Sequence, residues 1–210
     1  MIGIYGGTFD PVHFGHLRPA LDVYSLLTLS KILFIPCGQP PHRDAPIASS
    51  QDRLAMLELA LENQSDFVID DREINRPGAS YMIDTIKSLM EDFIDEKFCL
   101  IIGMDAFVKF DSWKDWQEIT ERVSLVVTQR PGFKLESTPN PELNQYLTEK
   151  QTTDKQVLLN AEQPHCFFCP VTQIDIAATQ IRVLVSEGKS IDYLLPERVA
   201  NFIHEKKIYR

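Results

Sequence analysis

Met1-Ile2-Gly3-Ile4-Tyr5-Gly6-Gly7-Thr8-Phe9-Asp10-Pro11-Val12-His13-Phe14-Gly15-His16 is the stretch on which the fold turns. Residues 2–5 read as a buried strand that stops at Gly6-Gly7. Leu17, Ala20, Leu21, Tyr24 and Leu27 then recur at helical spacing. A strand, a glycine pair and a helix form a unit whose loop faces the helix N-terminus. The free N–H groups and partial positive charge of that terminus favour an anion, above all a phosphate. Gly6 and Gly7 predict positive φ and a backbone that a ligand can approach closely. His13 and His16 are three apart, so on a first helical turn they share a face and can donate charge-assisted hydrogen bonds to a phosphate. The spacing is not that of a P-loop, because the lysine is missing, and no G-x-G-x-x-G is present. Two alternatives remain: a plain helix cap, or a metal site with Asp10 as third ligand.

Outward from this unit, short apolar runs alternate with longer amphipathic stretches. Strands are expected at residues 31–36, 67–69, 98–102, 123–128 and 166–171. Helices are expected at 52–62 (stripe Leu54, Leu57, Ala60, Leu61), 80–93, 113–121, 179–186 and 196–205. Gly188 stands where a helix C-cap glycine belongs, and Pro196 near a helix start. The order predicts an α/β fold: a doubly wound, mainly parallel Rossmann-like sheet with helices on both faces and a small helical C-terminal extension at 178–210. Ligands of such sheets bind beyond the carboxyl ends of the strands. Residues 130–163 break the rhythm with Pro131, Pro139 and Pro141 among polar residues. They are expected to be an irregular insert, mobile or holding one short helix near 142–150, within a single domain of residues 1–210.

The 210 residues carry 21 Lys plus Arg against 30 Asp plus Glu, a net charge of −9. That argues against a nucleic-acid polymer or an anionic membrane surface as partner, since both are held by clustered cations. With 44% apolar and 24% charged residues the composition is that of an ordinary globular protein. The N-terminus lacks the basic and apolar regions of a signal peptide, and no apolar run reaches the ~20 residues of a membrane span. A cytoplasmic monomer or small homo-oligomer is expected. Four cysteines, Cys37, Cys99, Cys166 and Cys169, are too scattered for a disulfide framework. In Cys166-Phe167-Phe168-Cys169 a strand would point the two thiols to opposite faces, so buried cysteines are expected rather than a redox or zinc pair.

The opening segment resembles the signature of the nucleotidyltransferases. Further segments make the chain similar to the bacterial nicotinate mononucleotide adenylyltransferases. These are Pro40-Pro41-His42-Arg43, Ser80-Tyr81-Met82-Ile83-Asp84-Thr85, Ile101-Ile102-Gly103-Met104-Asp105 with Trp113, Arg130-Pro131-Gly132 and Ile176-Ala177-Ala178-Thr179-Gln180-Ile181-Arg182. The resemblance runs through nearly the whole chain. It implies adenylyl transfer from ATP to nicotinate mononucleotide, giving nicotinate adenine dinucleotide and pyrophosphate. It implies His13, His16 and Arg182 as catalytic residues. ATP would be held by Gly6, Gly7, Thr8, Phe9, His16, Gly103, Asp105, Thr179 and Arg182. The mononucleotide would be held by His42, Arg43, Met82, Trp113, Lys114 and Arg130. Mg²⁺ would arrive bound to ATP, with no protein cage of its own.

The residues make physical sense of parts of this. Ser112-Trp113-Lys114-Asp115 reads as a capping box, Ser112 the N-cap and Asp115 at N3, which would turn the Lys114 N–H outward. Ser80-Tyr81-Met82 offers the same around the Met82 N–H, and two such donors suit a carboxylate. Trp113 can stack on a pyridine ring or merely pack on Trp116. Asp105 can bind a ribose hydroxyl or cap a helix. Two positions depart from the family pattern: Met82 stands where it usually has threonine, and Ala177 where it usually has serine. The amide mononucleotide and phosphopantetheine are alternative acceptors. A nucleotide-binding module without catalysis is an alternative of another class.

Overall fold

The computed structural model describes residues 1–40, 45–129 and 138–210. Along them run β1 (Ile2–Gly7), α1 (Phe14–Leu27), β2 (Lys31–Pro36), α2 (Ser50–Leu61), β3 (Phe67–Ile69), α3 (Arg72–Asn75), α4 (Met82–Asp92), β4 (Phe98–Gly103) and α5 (Met104–Phe107). After a 3-10 turn at Phe110–Ser112 come α6 (Trp116–Arg122), β5 (Ser124–Gln129), α7 (Pro141–Lys150), β6 (Gln151–Thr152), α8 (Lys155–Asn160), β7 (Cys166–Pro170), α9 (Ala178–Ser186) and α10 (Glu197–Lys206). The seven described strands form one sheet in the order β3-β2-β1-β4-β5-β7-β6. Every pairing is parallel, so the doubly wound α/β expectation holds.

Why the strands read as continuous apolar runs follows from this layering. Both faces of a parallel sheet are covered, so successive residues enter different cores. Ile32 and Phe34 belong to one buried cluster with Val23, Leu27, Met56 and Ile203. Leu33 and Ile35 belong to the other, with Ile83, Leu89, Trp116 and Ile119. Cys166 and Cys169 obey the same period: they are free, buried and on opposite faces of the sheet.

Local departures have local causes. In α2 Leu57 and Leu61 are buried as expected, but Arg53 and Met56 complete the buried stripe in place of Leu54 and Ala60. In α1 Val23 is buried whereas Leu21 is exposed. The short helix expected near 142–150 is α7, and with β6 and α8 after it residues 138–163 are more regular than expected. The Asn140 side chain accepts from the Glu142 and Leu143 N–H groups, Pro141 starts the helix, and Leu143 and Leu158 are buried. A capped start and two apolar anchors suffice to order the segment. Gly188 takes a φ of +69° just after α9, as a C-cap glycine should.

Strand order reverses between β1 and β4, where the chain goes on from one half of the sheet to the other. The crevice beyond the carboxyl ends at such a point is the natural ligand position. Gly7 ends β1 there, and Gly103 ends β4.

Candidate active site

The strand–glycine–helix unit is built differently from its sequence reading in one respect. Neither Gly6 nor Gly7 has a positive φ; the left-handed residue is Phe9, at φ 50°. The Phe9 side chain explains why. Its ring is buried and stands edge-on to Tyr5 and to His16, at 5.9 and 5.2 Å. Gly7 supplies room instead: a Cβ there would lie 2.8 Å from the Phe9 ring. Gly15 is needed for the same reason, its would-be Cβ lying 2.9 Å from the His13 ring and 3.0 Å from the Ile176 carbonyl.

His13 is the N-cap of α1, in extended backbone, and His16 lies in the first turn. Their rings are 3.8 Å apart, centroid to centroid. The His13 N–H donates to His16 Nδ1 at 3.3 Å. An accepting Nδ1 carries no proton, so the neutral His16 ring holds its proton on Nε2 as a donor. The helix end is less open than the sequence implies. Phe14 N–H donates to the Leu194 carbonyl at 3.1 Å and His16 N–H to the His13 carbonyl at 2.8 Å.

Burial lowers the His13 imidazole to about 4. His16 is also held well below the ordinary histidine range, by burial and then by His13. Both rings are therefore neutral donors at pH 7 when no anion is present. The stability consequence has a definite sign. Between pH 6.5 and 4 the unfolded chain binds a proton at His13 that the folded protein does not, so folding stability falls as pH falls through that window. We expect wild type to lose roughly 3 kcal/mol relative to His13→Gln between pH 7 and pH 4, read from urea melts. Parallel pH profiles for the two proteins would contradict it.

The second phosphate-suited end comes from α9. Ala177 is its N-cap and makes no side-chain cap bond, so the Ala178, Thr179 and Gln180 N–H groups lack helical acceptors. Arg182 donates through Nη2 to Thr179 Oγ1 at 3.0 Å and through Nη1 to the Asp10 carbonyl at 2.7 Å. Those bonds bring Thr179 and Arg182 to the signature loop. Asp105 is exposed in the first turn of α5, and Gly103, not Asp105, caps that helix. Its charge reaches Tyr5, where it adds to the burial that pushes the phenol up. Asp105 thus stands at the carboxyl edge beside β1.

Around α4 the picture changes in detail. Met82 opens the helix after Tyr81, so its N–H has no helical acceptor. The Ser80 hydroxyl does not cap α4; it accepts from Gly38 and Gln39 N–H at 3.1 and 3.3 Å. Met82 Cε lies where a Cβ on Gly6 would come within 2.6 Å, so Met82 reaches the end of β1. The predicted capping box at 112–115 is not formed. Ser112 lies in the 3-10 turn and its hydroxyl donates to the Lys109 carbonyl at 2.6 Å. Asp115, at φ 52°, is the N-cap of α6. Trp116 sets the helix start, because it is buried while Trp113 is not. The Lys114 N–H is therefore outside any helix. Its ammonium sits 3.5 Å from Asp84 and 4.6 Å from the Tyr81 ring centroid, which joins this segment to the start of α4. Trp113 packs on Phe110, centroids 5.3 Å apart, and keeps part of its surface exposed. His42, Arg43 and Arg130 lie outside the described residues.

Two buried charges lie beneath the loop: Arg53, which the sequence does not single out, and Asp10, which it offers only as a metal ligand. Arg53, 1% exposed, donates to the Thr8 carbonyl and to the Cys37 carbonyl, both at 2.7 Å. It ties the ends of β1 and β2 together. Asp10 accepts from Ile47 N–H, Ala48 N–H and the Tyr209 hydroxyl. A hint for Arg53 existed in its place three and four residues before Met56 and Leu57.

A parallel sheet split at β1/β4, with two helix N-termini, two histidines and an arginine near the split, is built to receive nucleotide phosphates, as in the nucleotidyltransferases. The cytidylyltransferase-like family model accordingly matches residues 4–184. The chain belongs to the nicotinate-nucleotide adenylyltransferase family. It is 45% identical over 210 residues to the "Probable nicotinate-nucleotide adenylyltransferase" of Methylococcus capsulatus, covering 100% of this chain and 99% of that one. It is 40% identical over 209 residues to the protein of the same name from Psychromonas ingrahamii, covering 100% and 97%. The fold is shared with Plasmodium falciparum nicotinic acid mononucleotide adenylyltransferase complexed with NaAD: TM-score 0.74, 17% identity, 99% of this chain and 96% of that one.

Proposed function

We propose that the protein transfers the adenylyl group of ATP to nicotinate mononucleotide, releasing pyrophosphate and forming nicotinate adenine dinucleotide, a step of NAD biosynthesis. Full-length identity to relatives of that name carries the reading. The site chemistry agrees with it. A phosphate oxygen of the mononucleotide, already ionised at neutral pH, attacks the α-phosphorus of ATP. The new P–O bond forms as the bond to the bridging oxygen breaks, and pyrophosphate leaves with that electron pair. No general base is required, so the protein must position two anions and offset their repulsion.

The backbone of Gly7, Thr8 and Phe9 would border the α-phosphate. His16, and His13 beside it, would donate to the oxygens on which charge builds. Arg182 and the Thr179 end of α9 would hold the β- and γ-phosphates, and Asp105 a ribose hydroxyl. On the acceptor side, the Met82 N–H would read the carboxylate and Trp113 would stack on the pyridine ring. Lys114 would add positive charge through its ammonium rather than its N–H. His42, Arg43 and Arg130 complete the mononucleotide side of the proposal.

A dedicated Mg²⁺ cage does not suit this donor set. The signature carboxylate, Asp10, is 5% exposed and already accepts three hydrogen bonds. The ion would come with ATP, ligated by phosphate oxygens and water. No described helix is long and apolar enough to cross a membrane. A cytoplasmic enzyme acting on small nucleotides, as a monomer or small homo-oligomer, fits this chemistry.

An acceptor panel tests the reading. Pyrophosphate release from ATP is measured with nicotinate mononucleotide, its amide and phosphopantetheine. The acid should give the highest kcat/KM, by at least about 10-fold over the amide, since an N–H donor gains about 1.5–3 kcal/mol from a charged carboxylate and less from a neutral amide. A faster amide or phosphopantetheine reaction would overturn the choice of acceptor. ATP binding with no turnover on any acceptor would favour a non-catalytic module.

A further inference from the structure

The last residues of the chain fold back to the first loop. Lys207 and Tyr209 both adopt left-handed backbone, at φ 56° and 67°. For side-chain-bearing residues such backbone is costly and persists where contacts compensate it. At Tyr209 that contact is visible: its hydroxyl, buried, donates to Asp10 Oδ1 at 2.6 Å across 199 positions of sequence. Asp10 has two further donors, Ile47 N–H at 2.9 Å and Ala48 N–H at 3.1 Å. Arg182 stands close by without closing on the carboxylate. Its Nη1 is 3.8 Å from Asp10 Oδ2 yet 2.7 Å from the Asp10 carbonyl, and its Nη2 reaches Thr179.

We propose that Tyr209 is a positioning residue for adenylyl transfer: by satisfying Asp10, it keeps Arg182 turned toward Thr179 and the triphosphate. A buried carboxylate must be matched by donors. Three neutral donors do this now, so the guanidinium is free to bond a main-chain carbonyl and Thr179. Without the Tyr209 hydroxyl, Oδ1 keeps only the Ala48 N–H, the carboxylate is left with two donors in place of three, and the Arg182 guanidinium, facing Oδ2, is the charged group nearest at hand. Closing the 3.8 Å gap would draw it off Thr179. The proposal rests on the adenylyl-transfer reading.

The experiment is a double-mutant cycle on kcat and KM, assayed far below each protein's melting temperature. Tyr209→Phe keeps the ring and removes only the hydroxyl. It should lower kcat about 10-fold, with KM for the mononucleotide unchanged. In an Arg182→Ala background the same substitution should cost less than about 2-fold, because it acts through a group already gone. Asp10→Asn, which weakens the same link from the middle, should by itself lower kcat. Equal losses with and without Arg182, or a lower melting temperature with normal kcat, would reduce Tyr209 to packing and overturn the proposal. So would a normal kcat in Asp10→Asn, which decides the matter even if Tyr209→Phe does not fold. A wild type that releases no pyrophosphate overturns the functional reading and the proposal with it. An active wild type beside an unaffected Tyr209→Phe overturns the proposal alone.

Discussion

His16→Ala should lower kcat by about 10²–10³ and leave KM for ATP within a few-fold. That is the usual cost of removing one donor aimed at charge that develops in the transition state, roughly 3–4 kcal/mol. The His16 ring is suited to this. Its Nδ1 is occupied by the His13 N–H, which fixes the tautomer and leaves Nε2–H to donate. Burial keeps it uncharged when the site is empty. In the proposed reading Arg182 and the N-terminus of α9 hold ground-state ATP, so binding should lose little. His16→Asn, which restores an N–H donor on a shorter arm, should recover part of the rate. The substitution also deletes the edge-on contact with Phe9, so a melting curve must accompany the kinetics. A rise in KM at constant kcat would mean that His16 binds ATP and its transition state equally, and would remove it from the catalytic step.

Arg53→Met should be the most destabilising single change among these residues, by about 3–5 kcal/mol. Two effects oppose each other. Burying a guanidinium is expensive, and replacing a buried ion with an apolar side chain sometimes stabilises a protein. Here the partners are main-chain carbonyls of Thr8 and Cys37, which no substitution removes. Each would be left half-buried without the guanidinium donor, at about 1–3 kcal/mol apiece. For a chain of this size the melting temperature should fall by roughly 10 °C. Arg53→Lys keeps the charge but cannot bond both carbonyls in the same fork, so it should fall between the two. A melting temperature within 2–3 °C of wild type for Arg53→Met would show that water or the relaxed loop replaces both bonds.

Arg53 also marks where sequence reading runs out. The sheet was legible because each central strand is a short run buried on both faces, as at residues 31–36 and 98–102. The signature loop was legible because its glycines and histidines are neighbours in sequence. Arg53, Asp10 and Tyr209 are defined by partners 45 and 199 positions away, which no local period reveals. The start of α6 was misplaced for a related reason. Ser112 and Asp115 fit a capping box locally, but burial of Trp116 decides the register. The left-handed residue was assigned to glycine on propensity, whereas packing of the Phe9 ring placed it one step beyond Thr8.

The two outermost described strands of the sheet are its shortest: β3 has three residues and β6 two. An outer strand is a template on which another chain can lay its own backbone, and its length sets how much it can recruit. A steric zipper takes about six or seven residues, which neither described border provides. A second copy would therefore have to be recognised through side chains, by a surface that selection can tune residue by residue. The long apolar strands that build the nucleotide crevice lie inside the sheet, out of reach of such growth.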